Sequence, residues 1–366
     1  MSDCDEFDHK CFLQRSRDGL YDRIADAMDE LGKDAFAEAD FGDDWVQAIK
    51  DDRSGSNWSY VNKNDGRPFL TNIVGEITSS SFGTKHSAKG THFSKNNKPM
   101  EDGDTVKWKW GLKKPTQCGI KLGDIFENQL TSVEDWHIAE KKNIPAGAKI
   151  NECTIKGKPD LQYPDIIIIT TAQRIYDQTI IHKRSHDAPS AKRKAADDST
   201  STAQPSTSAS TSTMPNIMQN LPPTTVCEGA FYDPQMLPDH RGDYFRLKEY
   251  KLQQLNVFDT PENDHKLIPT YETYDKLRPG TLILAVCEAH VFNMMQGGTM
   301  TSTFQLSVRA IRILAHSDVA IENRPIPILH NPSTSLSRND PTVAAFSAFN
   351  MGASPSKKTK TKQKKD

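Results

Sequence analysis

Two stretches of strict alternation, residues 282–292 and 303–314, leave this chain little choice of local structure. In the first, Ile283, Ala285, Cys287, Ala289 and Val291 take every second position. In the second, Phe304, Leu306, Val308 and Ala310 alternate with Thr303, Gln305, Ser307 and Arg309. Side chains switch faces with period two along a strand, so each stretch has one apolar face and cannot gather its apolar residues on one side of a helix. The segment between them, Met294-Met-Gln-Gly-Gly-Thr-Met300, carries two adjacent glycines and predicts an antiparallel hairpin with a Gly-containing loop.

The same reasoning finds strands before it. Residues 69–77, 105–112, 150–156 and 166–171 are short apolar or alternating runs bounded by Gly, Asn and Pro. In 105–112, Val106, Trp108, Trp110 and Leu112 share one face while Thr105, Lys107 and Lys109 share the other, which assigns the two tryptophans to the core rather than to a stacking platform. Four consecutive isoleucines, 166–169, predict a strand covered on both faces. Further strands are expected in 244–257 and 267–274. A helix is expected near the start, where Leu20, Ile24, Met28 and Leu31 recur in an acidic background.

Between 183 and 228 the pattern stops. Eleven of the fifteen residues from Ser199 to Thr213 are Ser or Thr, and two basic clusters precede them, Lys183-Arg184 and Lys192-Arg193-Lys194. Such a segment cannot bury enough apolar surface to order itself, and short basic clusters within it read as a nuclear localisation signal for an import receptor. The expected organisation is an acidic helical segment (1–52), a β-rich domain with a basic loop (53–182), a disordered linker (183–228), a second β-rich domain (229–330) and a disordered tail ending in a lysine cluster (331–366). The fold class is therefore mainly β: two small antiparallel barrel- or sandwich-like domains on either side of a Ser/Thr-rich linker, with a short acidic N-terminal helix.

Charge is sorted along the chain even though the net formal charge is only -2. Residues 1–52 hold sixteen acids against six Lys/Arg, whereas 79–121 hold nine lysines against three acids. The basic region interleaves aromatics with cations. Phe82, Lys85, His86, Lys89, Phe93, Lys95 and Lys98 fall in one loop, and Lys107 and Lys109 line the adjoining strand face, with Lys113 and Lys114 just beyond. Cations track phosphates and aromatic faces stack bases, so these eleven residues form the expected nucleic-acid site. The alternative is a solvated loop that Phe82 or Phe93 anchors to the core.

Other chemistries find no support. The six cysteines are scattered without a Cys-x-x-Cys pair, no His pair has zinc-site companions, and no phosphate-binding loop, nucleophile elbow or His-Glu-x-x-His motif occurs. No apolar run is long enough to cross a bilayer. We therefore expect no enzyme, no cofactor, no metal and no membrane.

The segment Arg278-Pro-Gly-Thr-Leu-Ile-Leu-Ala-Val-Cys-Glu-Ala-His-Val-Phe292, followed by Thr303-Phe-Gln-Leu-Ser-Val-Arg-Ala-Ile-Arg-Ile-Leu314, resembles the late strands of oligonucleotide-binding-fold proteins, including viral single-strand-binding proteins. The resemblance implies a five-stranded barrel that holds a single strand in a groove between loops. It transfers no binding residue. The expected function is that of a nuclear, non-enzymatic protein binding single-stranded DNA or RNA, with a homo-oligomer among its expected associations. The alternative is an interaction or self-assembly module of a viral-like or mobile-element system without nucleic-acid contact.

Overall fold

The computed structural model describes residues 9–48, 57–93, 98–158, 163–178 and 226–329. The expected linker and lysine tail lie outside the described residues almost entirely, as do Lys95, Lys183, Arg184, Lys192, Arg193 and Lys194.

Five strands close into a barrel, and we number only these: β1 (Leu70–Ile77), β2 (Lys109–Lys113), β3 (Ile166–Thr171), β4 (Leu282–Gln296) and β5 (Thr299–Ala315). β1 pairs antiparallel with β2 and β4, with Ile77 opposite Leu112 and Ile73 opposite Ala285. β2 pairs antiparallel with β3, Trp110 opposite Ile169. β3 runs parallel to β5, Ile169 beside Leu306, and β5 returns to β4, Ala289 opposite Leu306. The cycle is thus β1-β2-β3-β5-β4-β1, closed and with a single parallel contact. Closure removes the free edges that an open sheet would present.

Register fixes which side is inside. Ile73, Ile77, Trp110, Leu112, Ile167, Ile169, Ala285 and Leu306 share the inner face through these pairings, and all are fully buried in one cluster. The mainly β expectation holds, but the halves do not form separate barrels or sandwiches. β1 to β3 precede the 183–228 segment and β4 and β5 follow it, so each half contributes strands that the other half pairs. A small second sheet repeats this, since Tyr176–Gln178 pairs with Tyr250–Gln253. The physical reason is that β1 has no hydrogen-bonding neighbour on its β4 side until the later half supplies one.

The acidic helix forms as α1 (Lys10–Arg17) and α2 (Leu20–Leu31), interrupted at Gly19, whose φ of 62° is a left-handed conformation open to glycine. Tyr21, Ile24, Ala25 and Met28 of α2 pack with Val74 and Leu282 of the barrel and with Leu122 and Ile125 of α3 (Ile120–Lys141). Lys121 at the start of α3 reaches Asp26 and Asp29 of α2 at 2.6 and 2.9 Å, which answers part of the acidic face. α3, 22 residues long, was absent from the sequence expectation. It seats Phe126, Leu130, Val133 and Trp136 in the main core. Residues 267–274, expected as a strand, instead form a 3-10 turn (Thr270–Glu272) and a short helix (Thr273–Lys276). Hydroxyl bonds tighten the turn: Thr270 donates to the Gln253 carbonyl at 2.9 Å and Thr273 to the Thr270 carbonyl at 2.7 Å.

Candidate functional site

The alternation in β2 and the residues leading into it decides the site. Trp108, Trp110 and Leu112 point inward and are fully buried, so Lys107 and Lys109 point outward. Lys109 lies opposite Thr170 of β3, Thr170 beside Ser307 of β5, and Ser307 opposite Glu288 of β4. These side chains form one row across the outer face of four strands. Lys85, in the loop between β1 and β2, extends the row on its other side, because it bridges to Lys109 through backbone bonds of 2.8 and 3.3 Å.

The far wall of this face comes from β4. The Lys107 ammonium sits 5.9 Å from the centre of the Phe292 ring, and that ring stacks on His290 with centroids 5.5 Å apart and planes 26° from parallel. Glu288 is the acid of the row, and it is already engaged: His290 Nε2 lies 3.2 Å away and Arg309 donates to it at 2.5 Å. Arg309 stands at a β-bulge, where Val286 pairs with Ala310 and Cys287 with Val308, leaving one extra residue on β5. Bulges re-aim side chains in this way.

Lys107 and Lys109 are both half-buried, and among the described residues no carboxylate lies within ion-pair distance of either. Burial pushes the Lys107 ammonium below its ordinary range, and Lys109 pushes it further. Burial does the same to Lys109, assisted by Lys85. Dehydrated, mutually repelling cations favour any arrangement that brings an anion to them.

The other expected site residues go elsewhere. His86 is only 5% exposed: it packs its ring against Trp108, Trp110 and Tyr274, and its Nε2 lies 3.1 Å from the Thr273 hydroxyl. Burial holds its pKa well below the usual imidazole range, so it is a neutral core residue and not a surface contact. Phe82 is half-buried and packs edge-on against the exposed ring of Tyr163, with centroids 4.9 Å apart. Lys113 turns to the buried Glu76 at 3.4 Å, and Lys114 lies 3.4 Å from Glu127 of α3. Lys89 leaves the lysine row and lies 5.4 Å from the Tyr244 ring. Phe93 is 79% exposed and Lys98 is exposed, at the two ends of residues 94–97, which are outside those described. The structure therefore brings Lys85, Lys107 and Lys109 together out of the expected set.

Sequence reasoning missed His290, Phe292 and Arg309. The signal was present for the first two, which occupy the outward positions of a strand whose inward positions, Ala289 and Val291, were identified. The inward assignment of Trp108 and Trp110 holds, and Trp58 and Tyr60 are also buried.

The five-strand closed cycle, with a loop between β1 and β2 on one side of the row and the β4–β5 hairpin on the other, has the form of an oligonucleotide-binding-like barrel. No family model and no curated protein matches the sequence. Among solved structures the chain is similar to gp2.5, a single-stranded DNA-binding protein encoded by bacteriophage T7, with 8% identity over 69% of this chain and 88% of that one and a TM-score of 0.28. It is also similar to the single-stranded DNA-binding protein from bacteriophage Enc34 in complex with ssDNA, with 9% identity over 77% and 98% and a TM-score of 0.28. The fold and site stand on the strand pairings and side-chain geometry, not on likenesses at that level.

Proposed function

We propose that this chain is a non-enzymatic protein that binds single-stranded nucleic acid across the outer face carrying Lys85, Lys107 and Lys109. The observation that carries the reading is the half-buried Lys107–Lys109 pair, with no carboxylate within ion-pair distance among the described residues, on the outer face between the β1–β2 loop and the β4–β5 hairpin. A phosphate backbone supplies the missing negative charge at regular spacing, and the Phe292–His290 pair beside it offers an aromatic surface for a base. A duplex is a poorer fit, because its bases are already stacked and paired and cannot use that surface. The basic clusters at 183–184 and 192–194 support nuclear import through a receptor, as an address separate from the barrel face.

The test is equilibrium binding to a fluorescent oligothymidine across a salt series. The wild-type protein is expected to show log affinity falling linearly with log salt. Replacing Lys85, Lys107 and Lys109 together by Glu is expected to reduce affinity at low salt strongly and to flatten the slope by about 2, from roughly 0.7 per lost phosphate contact on a single strand. Binding that is absent at low salt, or that the triple substitution leaves unchanged, overturns the proposal. Self-association without oligonucleotide binding, read from mass in solution, would favour an assembly module instead.

A further inference from the structure

Residues 316–329, which follow β5, form neither helix nor strand, yet they are pinned to the barrel at several points. The Arg278 guanidinium donates to the Val319 carbonyl at 3.2 Å. The Glu322 carboxylate accepts from the Ser80 N–H at 2.8 and 3.1 Å and from the Ser80 hydroxyl at 3.0 Å. Arg324 Nε donates to the His86 carbonyl at 2.5 Å, and its guanidinium lies 4.1 Å from the centre of the Tyr274 ring. Two side chains of this strap therefore converge on one stretch, 80–86, and that stretch carries the exposed Lys85.

The path of the stretch explains why it needs holding. The chain stays on β2 as far as Thr78, whose N–H donates to the Gly111 carbonyl at 2.8 Å, and contact resumes at Lys85, which exchanges two bonds with Lys109. A step of two residues along β2 is thus matched by seven on the facing chain, and residues 79–84 bulge away from the sheet. Where Lys85 rejoins, its own N–H and carbonyl face Lys109, so by alternation those of His86 face the opposite edge. Arg324 takes the His86 carbonyl at that edge, and Glu322 takes Ser80 where the chain departs. The bulge is gripped at both ends.

We propose that Glu322 and Arg324 are positioning residues for nucleic-acid binding, holding this loop so that Lys85 stays beside Lys109 on the phosphate-binding face. The inference rests on the proposed function, and it gives an acid a role that charge alone would forbid. A carboxylate near a face that takes phosphates repels them, so by Coulomb interaction its removal tightens binding. Acting through Ser80, its removal instead releases the loop and weakens binding. The two effects have opposite sign. Gln separates them, because it keeps an acceptor oxygen and drops the charge.

The experiment measures oligothymidine affinity by fluorescence anisotropy across a salt series for the wild-type protein, Glu322→Ala, Glu322→Gln, Lys85→Ala and the Glu322→Ala/Lys85→Ala pair. Glu322→Ala is expected to weaken binding at low salt about fivefold, the scale of one net hydrogen bond, and to flatten the slope by a fraction of the roughly 0.7 that one phosphate contact contributes. Glu322→Gln is expected to bind at least as tightly as the wild type. In the Lys85→Ala background Glu322→Ala is expected to cost nothing further, since the lysine it positions is gone, and Arg324→Ala is expected to show the same dependence on Lys85. Glu322→Ala that binds as tightly as the wild type, or more tightly, overturns the positioning role and leaves the lysine face standing. So does a cost that persists undiminished without Lys85, or one that Glu322→Gln shares in full. Absence of wild-type binding overturns the lysine-face reading, and the positioning role with it.

Discussion

Burial keeps two imidazoles of this fold neutral at acidic pH, where water would protonate them, and the consequence is a stability that depends on pH. His137 of α3 is 2% exposed, its Nε2 lies 3.3 Å from the Cys153 sulfur, and burial pushes its pKa down to about 4. In the unfolded chain the same imidazole titrates near its ordinary value. A histidine whose folded pKa is depressed contributes stability that is complete above the unfolded pKa of 6.5 and lost as pH falls toward the folded value of about 4. Between those limits the loss amounts to about 3 kcal/mol, from roughly 1.4 kcal/mol per pH unit. Denaturant midpoints at pH 7 and pH 4.5 are expected to differ accordingly, and His137→Asn to remove a large part of the difference. If the variant kept the full acid sensitivity, His137 would not be its source, and His86, shifted in the same direction, would carry it instead. Glu76 shows the opposite balance: burial raises it, while Lys113, the Thr116 backbone and hydroxyl, and Arg15 of α1 draw it back. Arg15 also donates to the carbonyls of Gly280 and His316 at 2.9 and 2.5 Å, so this charged knot ties the first helix to the end of β5.

At the level of elements, legibility in the sequence followed the dryness of one face. The β4–β5 hairpin was readable because its inward positions over 283–291 and 304–308 are apolar, but the bulge at Arg309 reverses the alternation beyond it, so that Ile311 and Ile313 face inward and Ala310, expected on the face of Val308, turns outward. β2 was readable for the same reason, although regular pairing begins at Lys109, four residues later than expected. α3 was missed because its stripe is blurred on both sides. Gln129, His137 and Glu140 are buried among its apolar residues, Ile120 and Ile138 are exposed, and the helix faces two clusters at once. Gln129 is buried for a reason invisible in one dimension, since its amide accepts from the Val74 N–H at 2.8 Å and donates to the Val74 carbonyl at 2.9 Å, docking α3 on β1. The site was legible where it depended on lysine alternation and illegible where it depended on which strands become neighbours, as with Phe292 beneath Lys107. The close seat of α3 gives a prediction. A Cβ at Gly75 would lie 2.9 Å from Leu112 Cβ and 3.3 Å from the Phe126 ring. Gly75→Ala is therefore expected to destabilise by about 1–3 kcal/mol, the range for overpacking a filled core. An unchanged denaturant midpoint would show that β2 and α3 can move apart at no cost.

For the molecule as a whole, the Ser/Thr-rich segment between 183 and 228 suggested a boundary between two folding units, and the strand order removes that boundary from the barrel. β4 hydrogen-bonds to β1 and to β5, and β5 to β3, so the later half closes a cylinder that the earlier half leaves open at both ends of its sheet. Ile73, Trp110 and Ile169 from one half share a dry interior with Ala285, Phe304 and Leu306 from the other. Neither half alone can cover that surface, and three strands with exposed apolar faces and two open edges are prone to aggregate rather than fold. Residues 1–182 and 226–366 expressed separately are therefore expected to lack a cooperative thermal transition. Co-expressed, they are expected to copurify one to one and to recover salt-dependent oligonucleotide binding, because Lys107 and Phe292 meet only when both are present. The covalent link then acts by raising the effective concentration of each half at the other, which improves stability without supplying a contact. A fragment 1–182 that unfolds cooperatively by itself, at the midpoint of the intact chain, would show that β1 to β3 and the helices suffice and that β4 and β5 merely lie against a finished unit.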